Sequence, residues 1–303
     1  MCGITGFVDF KPAGEVALLA RATAMADTLR HRGPDAGASW ADPNAGFATG
    51  HRRLSIVDLS EAGAQPMVSQ SARFVISYNG EVYNAAEIRP ELQAKGYVFR
   101  GRSDTEVILE ACAEWGVHAT VHRMIGMFAF ALWDRQTHRL WLVRDRLGIK
   151  PLYWGQFGKL LIFGSELKAL RAHPDCPAEI NRDAIAALVR FGYIPTPHSI
   201  YRNVYKLPPG AILEVDSHSE SRIERFWTLD GVIEGARRNP FNASDADAEE
   251  ALATLLGDAV ERQMIADVPL GAFLSGGIDS STVVSLMQLK STRPVRTFSI
   301  GFQ

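Results

Sequence analysis

Cys2 stands directly after the initiator Met1. If Met1 is removed, Cys2 becomes the first residue and carries both a thiol and a free α-amine. An α-amine titrates near ~7.7–8.0, so close to neutral pH it can accept a proton. A nucleophile with its own amine as base needs no separate histidine. Other residue types suited to amide chemistry follow. Arg53 could pair a carboxylate bidentately, or be a surface charge beside Arg52. Asn79-Gly80 could offer a side-chain amide and a backbone N–H to an oxyanion, or be only a hairpin turn. Asp104 could hold an ammonium group, or merely favour the first turn of a helix. A second cluster, Leu274-Ser275-Gly276-Gly277-Ile278-Asp279-Ser280-Ser281, has small residues between an apolar run and a helical one. Such a loop lets backbone N–H groups approach phosphate oxygens at a helix N-terminus. It is neither G-x-x-x-x-G-K-[ST] nor G-x-G-x-x-G, and a plain glycine-rich turn is the alternative.

The remaining cysteines offer less. Cys112 lies in an apolar helical stretch and reads as a buried, inert thiol; Cys176 lies in a proline-flanked loop. Three cysteines without a CxxC pair argue against a disulfide framework or a cysteine-rich zinc site. The net charge of −2 gives no sign of a nucleic-acid partner or a polybasic membrane surface. The first residues lack a basic lead and a sustained apolar run, and no stretch reaches transmembrane length. A cytoplasmic location is the default expectation.

These residues need elements to hold them. Strands are expected at Ile4–Phe10, at 46–57, at Phe74–Asn79, and in a hairpin of Met127–Asp134 with Arg139–Arg144. Further strands are expected at Leu152–Gly155, Leu160–Gly164 and, as the last of the series, Ala211–Val215. Helices are expected at Val16–Leu29, Pro90–Lys95, from a Ser103–Glu106 capping box toward Trp115, and at Arg182–Phe191. Residues 216–243 are polar and weakly periodic, and read as a linker. Beyond it come a helix at Ala246–Met264, a strand at Gly271–Leu274, a helix at Ser280–Leu289 and a strand at Arg296–Ile300. That order implies a parallel βαβ unit. One such unit has no complete sheet to bury its faces, so it is expected to be part of a longer domain or to pack on something else.

Met-Cys-Gly-Ile-Thr-Gly, Arg-His-Arg-Gly-Pro-Asp at 30–35, Arg53-Leu54-Ser55-Ile56, Tyr78 to Asn84, and Ser103-Asp104 occur in that order. So do the run from Arg144 to Tyr153 and that from Gly164 to Lys168. Together, over residues 2–215, they resemble the class II glutamine amidotransferases, which are N-terminal-nucleophile hydrolases. The resemblance implies an α+β fold with four αββα layers. It implies that Cys2 attacks the glutamine side-chain amide to form a thioester, with Asn79 and Gly80 as the oxyanion hole. Arg53 would bind the α-carboxylate, Glu81 and Asp104 the α-amino group, and the backbone at Leu54 and Ile56 would close the pocket. The run at 144–153 is expected to brace the domain, without chemistry.

The SGGIDSS loop resembles the pyrophosphate loop of ATP pyrophosphatases. Joined to a class II glutaminase, it resembles the glutamine-dependent asparagine synthetases. This likeness implies that residues 244–303 begin an α/β parallel-sheet synthetase domain and leave it incomplete. Ser275, Gly276, Gly277, Asp279 and Ser280 would cradle ATP, Leu274 and Ile300 would touch the adenosine, and Asp279 would help position Mg²⁺. Glutamine, ATP and aspartate are the implied substrates and a homodimer the implied assembly. This chain alone is expected to act only as a glutaminase. Two other readings stay open: an amidotransferase acting on a different acceptor carboxylate, and a non-catalytic regulatory remnant.

Overall fold

The computed structural model describes residues 1–9 and 13–301, in two compact units, Met1–Leu229 and Asp230–Gln303. In the first unit the chain runs β1 (Gly3–Asp9), α1 (Glu15–Asp27), β2 (Ala36–Asp42), β3 (Phe47–Arg53), β4 (Met67–Val68) and β5 (Phe74–Val82). It continues through α2 (Ala85–Ala94), α3 (Asp104–Trp115), α4 (Val117–Arg123), β6 (Gly126–Asp134), β7 (Arg139–Arg144), β8 (Tyr153–Phe157) and β9 (Leu160–Gly164). Then come α5 (Leu167–Arg171), α6 (Arg182–Phe191), β10 (Val204–Lys206), β11 (Ala211–Val215) and β12 (Ser221–Arg225). The strands form two six-stranded sheets, ordered β10-β8-β9-β1-β3-β2 and β12-β11-β7-β6-β5-β4. Neighbours within both are antiparallel.

Side-chain alternation along the strands builds the layers. Ile4 and Val8 of β1 and Phe47 of β3 join Val75, Ala129, Trp133 and Leu142 of the other sheet in the central core. The opposite faces carry helices. Phe7, Ala48 and Ile162 pack on Leu18, Ala22 and Met25 of α1. Ile76, Tyr78, Phe128 and Phe130 pack on Ile108, Leu109 and Cys112 of α3 and Val121 of α4. The result is helix, sheet, sheet, helix, as the resemblance implies. Cys112 is 2% exposed, and burial pushes its thiol up to about 12, in keeping with an inert core residue.

The same alternation turns polar toward one end. On β3 the inward positions run Phe47, Thr49, His51, Arg53; on β5 they run Val75, Ser77, Asn79, Glu81. Thr49 and Ser77 hydroxyls meet across the sheets at 2.8 Å, and His51 Nε2 lies 3.0 Å from the Tyr78 carbonyl. Two adjacent inward-facing rows therefore lead from hydrocarbon to hydrogen-bonding groups.

Several elements differ from expectation. The strand expected over 46–57 ends at Arg53 because the chain leaves as a loop that wraps the Arg53 side chain. The strand at Phe74 runs on to Val82, so Asn79-Gly80 is mid-strand and not a hairpin turn. The helix around Pro90 starts at Ala85, with Pro90 inside it. Ser103 caps α3 by accepting the Glu106 N–H, but the Glu106 carboxylate turns away to Arg100 and Gly101, so only half of the expected box forms. Segment 216–243 is not wholly linker: β12 pairs with β11, and Phe226 N–H donates to Gly210 O at 2.9 Å. Phe10, at the end of the expected first strand, lies outside the described residues.

The second unit comprises α7 (Leu229–Arg238), α8 (Asp245–Arg262), β13 (Gly271–Phe273), α9 (Ile278–Lys290) and β14 (Arg296–Phe298). Ser244 and Asp247 form a complete capping box on α8. β13 and β14 are parallel, with α9 as the crossover, as the element order predicts. Both strands are shorter than expected at their C-terminal ends and α9 begins two residues earlier, at Ile278. Phe273 stays 78% and Phe298 57% exposed, because a two-stranded sheet offers nothing to cover them. Among the described residues no helix is long and apolar enough to cross a membrane.

Candidate active site

At the polar end of the inter-sheet layer lies a cavity of about 190 Å³, and every residue predicted from the first constellation lines it. Cys2 sits just ahead of β1, half-buried. Its Sγ accepts the Leu54 N–H at 3.4 Å, and its thiol donates to the Leu54 carbonyl at 3.6 Å. The Cys2 carbonyl accepts Arg32 Nε at 2.9 Å, which fixes the segment from its other side. Burial pushes the thiol up, while the Leu54 N–H, the amino terminus, Arg53 and Lys150 act in the opposite direction. With Met1 in place the nitrogen of Cys2 is an amide. The Met1 amino group instead donates to Arg32 O at 3.3 Å.

Asn79 is 2% exposed, and its Nδ2 has no hydrogen-bond partner. Leaving such a donor buried costs about 1–3 kcal/mol. Gly80 follows it on a stretch of β5 beyond the short β4 pairing. The N–H groups of Tyr78 and Val82 point to this free edge, one to Gln65 Oε1 at 2.7 Å and the other to Asp104 Oδ2 at 2.9 Å. Alternation directs the Gly80 N–H to the same edge, between them. A Cβ on Gly80 would come within 2.4 Å of the Met127 carbonyl, so the strand tolerates only glycine there. Asn79 Nδ2 and Gly80 N–H thus form a pair of directed donors on one strand.

The cavity lining carries charges of both signs. Arg53, 8% exposed, donates to the carbonyls of Ser60 at 3.0 Å, Val57 at 3.5 Å and Asp58. The Asp58 carboxylate holds that loop by accepting the Ser60 hydroxyl and the Arg102 N–H. Asp104, the first residue of α3, accepts the Tyr78 hydroxyl at 2.7 Å and the Val82 N–H at 2.9 Å through Oδ2, and the Thr105 N–H through Oδ1. Among the described residues no cation pairs with it, and burial raises its pKa; burial likewise raises that of Glu81. Two partly desolvated carboxylates in the lining suit an ammonium group, as Arg53 suits a carboxylate. Leu54 and Ile56, on the loop after β3, line the same cavity.

Lys150, Gln65 and Tyr78 are among the lining residues that sequence reasoning gave no part in the site. That reasoning read 144–153 as bracing. Asp145 does brace, accepting the N–H groups of Phe128, Leu147, Ile149 and Lys150, while Arg144 donates to three carbonyls. The Lys150 side chain, however, enters the cavity. The separate motifs also prove to be one assembly. Arg32 joins Cys2 to Glu166, Asp35 accepts the Ser55 N–H, and the Ser165 hydroxyl accepts the Ile4 N–H.

In the second unit the predicted loop joins β13 to α9. Gly276 takes φ +82°, which favours glycine, and a Cβ there would meet only open space. Ser275 and Ser280 hydroxyls lie 3.0 Å apart, and the Gly277 N–H donates to Ser275 Oγ at 3.4 Å. Asp279 lies in the first turn of α9. Leu274 pairs with Phe298, and the Ser299 hydroxyl donates to the Leu274 carbonyl at 2.6 Å, which brings Leu274 beside the chain leading to Ile300. Ile300 is 76% exposed.

Two antiparallel sheets between helices, with a thiol at the head of the first strand and two N–H donors of β5 at the same cavity, define an N-terminal-nucleophile hydrolase fold. Within that class, this chain belongs to the glutamine amidotransferase domain family, whose model matches residues 1–227. Residues 251–303 match a second model, Asparagine synthase. The whole chain is 37% identical, over 312 residues, to asparagine synthetase [glutamine-hydrolyzing] 3 of Bacillus subtilis, covering 48% of that protein. It is 35% identical over 308 residues to asparagine synthetase [glutamine-hydrolyzing] 1 of the same organism, covering 46%. The chain thus spans about half the length of these curated relatives. Its fold resembles a solved glutamine phosphoribosylpyrophosphate amidotransferase from B. subtilis, with a TM-score of 0.54 at 17% identity, covering 98% of this chain and 65% of that one.

Proposed function

We propose that this chain hydrolyses glutamine to glutamate and ammonia, with Cys2 as nucleophile. The observation that carries the reading is the buried, unpartnered Asn79 amide lining the same cavity as the thiol. A substrate carbonyl that becomes an oxyanion supplies the missing acceptor, so the donor gains its bond in the transition state. With Met1 removed, the Cys2 amine takes the thiol proton and the thiolate attacks the glutamine side-chain carbonyl. Asn79 Nδ2 and Gly80 N–H receive the negative oxygen. The amine passes its proton to the departing nitrogen, which leaves as ammonia. Water then attacks the thioester and releases glutamate. Arg53 binds the α-carboxylate, Glu81 and Asp104 the α-ammonium, and the backbone at Leu54 and Ile56 encloses the substrate. Release of glutamate and ammonia without ATP tests this reading.

We further propose that the ammonia serves an ATP-activated carboxylate, that of aspartate, in the synthetase domain begun by residues 244–303. The likeness of 251–303 to the asparagine synthase model supports this. Ser275, Gly276, Gly277, Asp279 and Ser280 hold pyrophosphate in this reading, and Leu274 and Ile300 flank the adenosine. The open loop with its positive-φ glycine suits phosphate. Asp279 suits Mg²⁺, a cation that commonly takes one or two carboxylates and completes its shell with phosphate and water. A cytoplasmic homodimer accords with the same family likeness.

Arg53→Lys is expected to raise the KM for glutamine about 100-fold and to change kcat much less. A point charge cannot hold the carboxylate bidentately while also donating to three loop carbonyls. Steady-state kinetics with glutamine check this. An unchanged KM removes Arg53 from substrate binding.

A further inference from the structure

Lys150 is 5% exposed, lines the cavity, and among the described residues makes no hydrogen bond or ion pair through its side chain. Its backbone is held on both sides: its N–H donates to Asp145 Oδ2 at 2.9 Å, and its carbonyl accepts Arg144 Nε at 2.8 Å. The fold therefore fixes a buried ammonium at the site and gives it no hydrogen-bond partner among the described residues. Such burial is costly, and a methionine would fill the space without that cost. We propose that Lys150 is a positioning residue that works on the nucleophile by charge, its ammonium favouring the neutral amine and the thiolate at Cys2. The proposal rests on the reading of Cys2 as the glutaminase nucleophile.

Other charges face the same groups, and Arg53 acts on the Cys2 thiol in the same direction as Lys150. From the 30–35 segment, Arg32 is tied to Glu166 and to Cys2 O, and Asp35 receives the Ser55 N–H. From β3, Arg53 is committed to loop carbonyls. From α3, Asp104 has three donors; in the loop of Lys150 itself, Asp145 has four. Glu81 on β5 makes no side-chain hydrogen bond or ion pair among the described residues, and it is the charge that offsets Lys150. Lys150 lowers the proton affinity of the Cys2 thiol and, with Met1 in place, that of the Met1 amino group, in the same direction as Arg53 at the first and Arg32 at the second. When the substrate ammonium reaches Glu81 it neutralises the offsetting anion. Lys150 then acts undiminished on the nucleophile, so binding of glutamine itself readies the thiol.

The test uses the full chain with Met1 removed, and two readouts. One is alkylation of Cys2 by iodoacetamide against pH, followed by the mass of the N-terminal peptide so that Cys112 and Cys176 do not contribute. The other is kcat/KM for glutamine against pH. Lys150→Met should move both profiles about one pH unit to the alkaline side, with about a tenfold loss on the acidic limb and convergence at high pH. Lys150→Arg should restore them. An unchanged alkylation profile overturns the proposal, as does a loss equal at every pH in a variant of unchanged melting temperature. If Lys150→Met fails to fold, Lys150→Gln makes the same comparison. If the wild-type chain does not hydrolyse glutamine, the glutaminase reading falls, and the alkylation profile still decides the action of Lys150.

Discussion

Cys2→Ala is expected to lower glutamate release from glutamine by at least about 10⁴-fold and to leave the melting temperature within a degree or two. The thiol is half-buried, and its two hydrogen-bonding contacts are both with the Leu54 backbone. The variant therefore gives up two weak sulfur contacts and keeps the rest of the site. The hydroxyls lining the cavity are otherwise engaged: Ser103 accepts the Glu106 N–H, Thr105 accepts Gln65 Nε2, and Tyr78 donates to Asp104, where burial holds it well above the usual phenol range. Cys112 is buried in the core against the helices and cannot substitute. A coupled glutamate assay with thermal melts checks both halves. Activity within tenfold of wild type would remove Cys2 from the chemistry.

Asn79→Ala should lower kcat by about 10²–10³-fold, with KM nearly unchanged and stability equal to or above wild type. The combination is diagnostic. A structural asparagine has its amide satisfied, so its removal lowers the melting temperature and affects catalysis only through misfolding. Here Nδ2 is already without a partner in the folded chain. Its loss removes a cost from the ground state and a donor from the transition state. Kinetics and thermal denaturation on the same preparation separate the cases. A destabilised variant with unaltered kcat would show Asn79 to be a packing residue.

The sequence made much of this visible, for identifiable reasons. Arg182–Phe191 and Ala211–Val215 form as read, the first closed by Asn181 and Gly192 and the second by apolar alternation. The hairpin of β6 and β7 follows from two apolar runs around a turn. Asn79-Gly80 misled as local chemistry, because the pair is a strong hairpin signal. Its place in mid-strand comes from pairing with Ala129 and Phe128, nearly fifty positions further along. β2 escaped because its small residues show no apolar alternation; it exists by pairing along β3. β12 escaped because all five of its residues are exposed, as suits a polar edge strand. Lys150 was hidden in a run whose other charges do brace the loop. Nothing in the sequence distinguishes the one lysine that turns inward. What the sequence did hold was the set of residues around Cys2, which the alternation of β3 and β5 brings to one end of the layer between the sheets.

The most direct test of the account is hydrolysis of glutamine, without ATP, by the chain carrying Cys2 as its first residue, beside the same chain with Met1 retained. The account predicts equal release of glutamate and ammonia by the first and almost none by the second, whose Cys2 nitrogen is an amide and cannot take the thiol proton. A folded, processed chain that leaves glutamine intact would contradict it and favour a non-catalytic role for the domain. Equal activity with Met1 retained would contradict the part assigned to the amine.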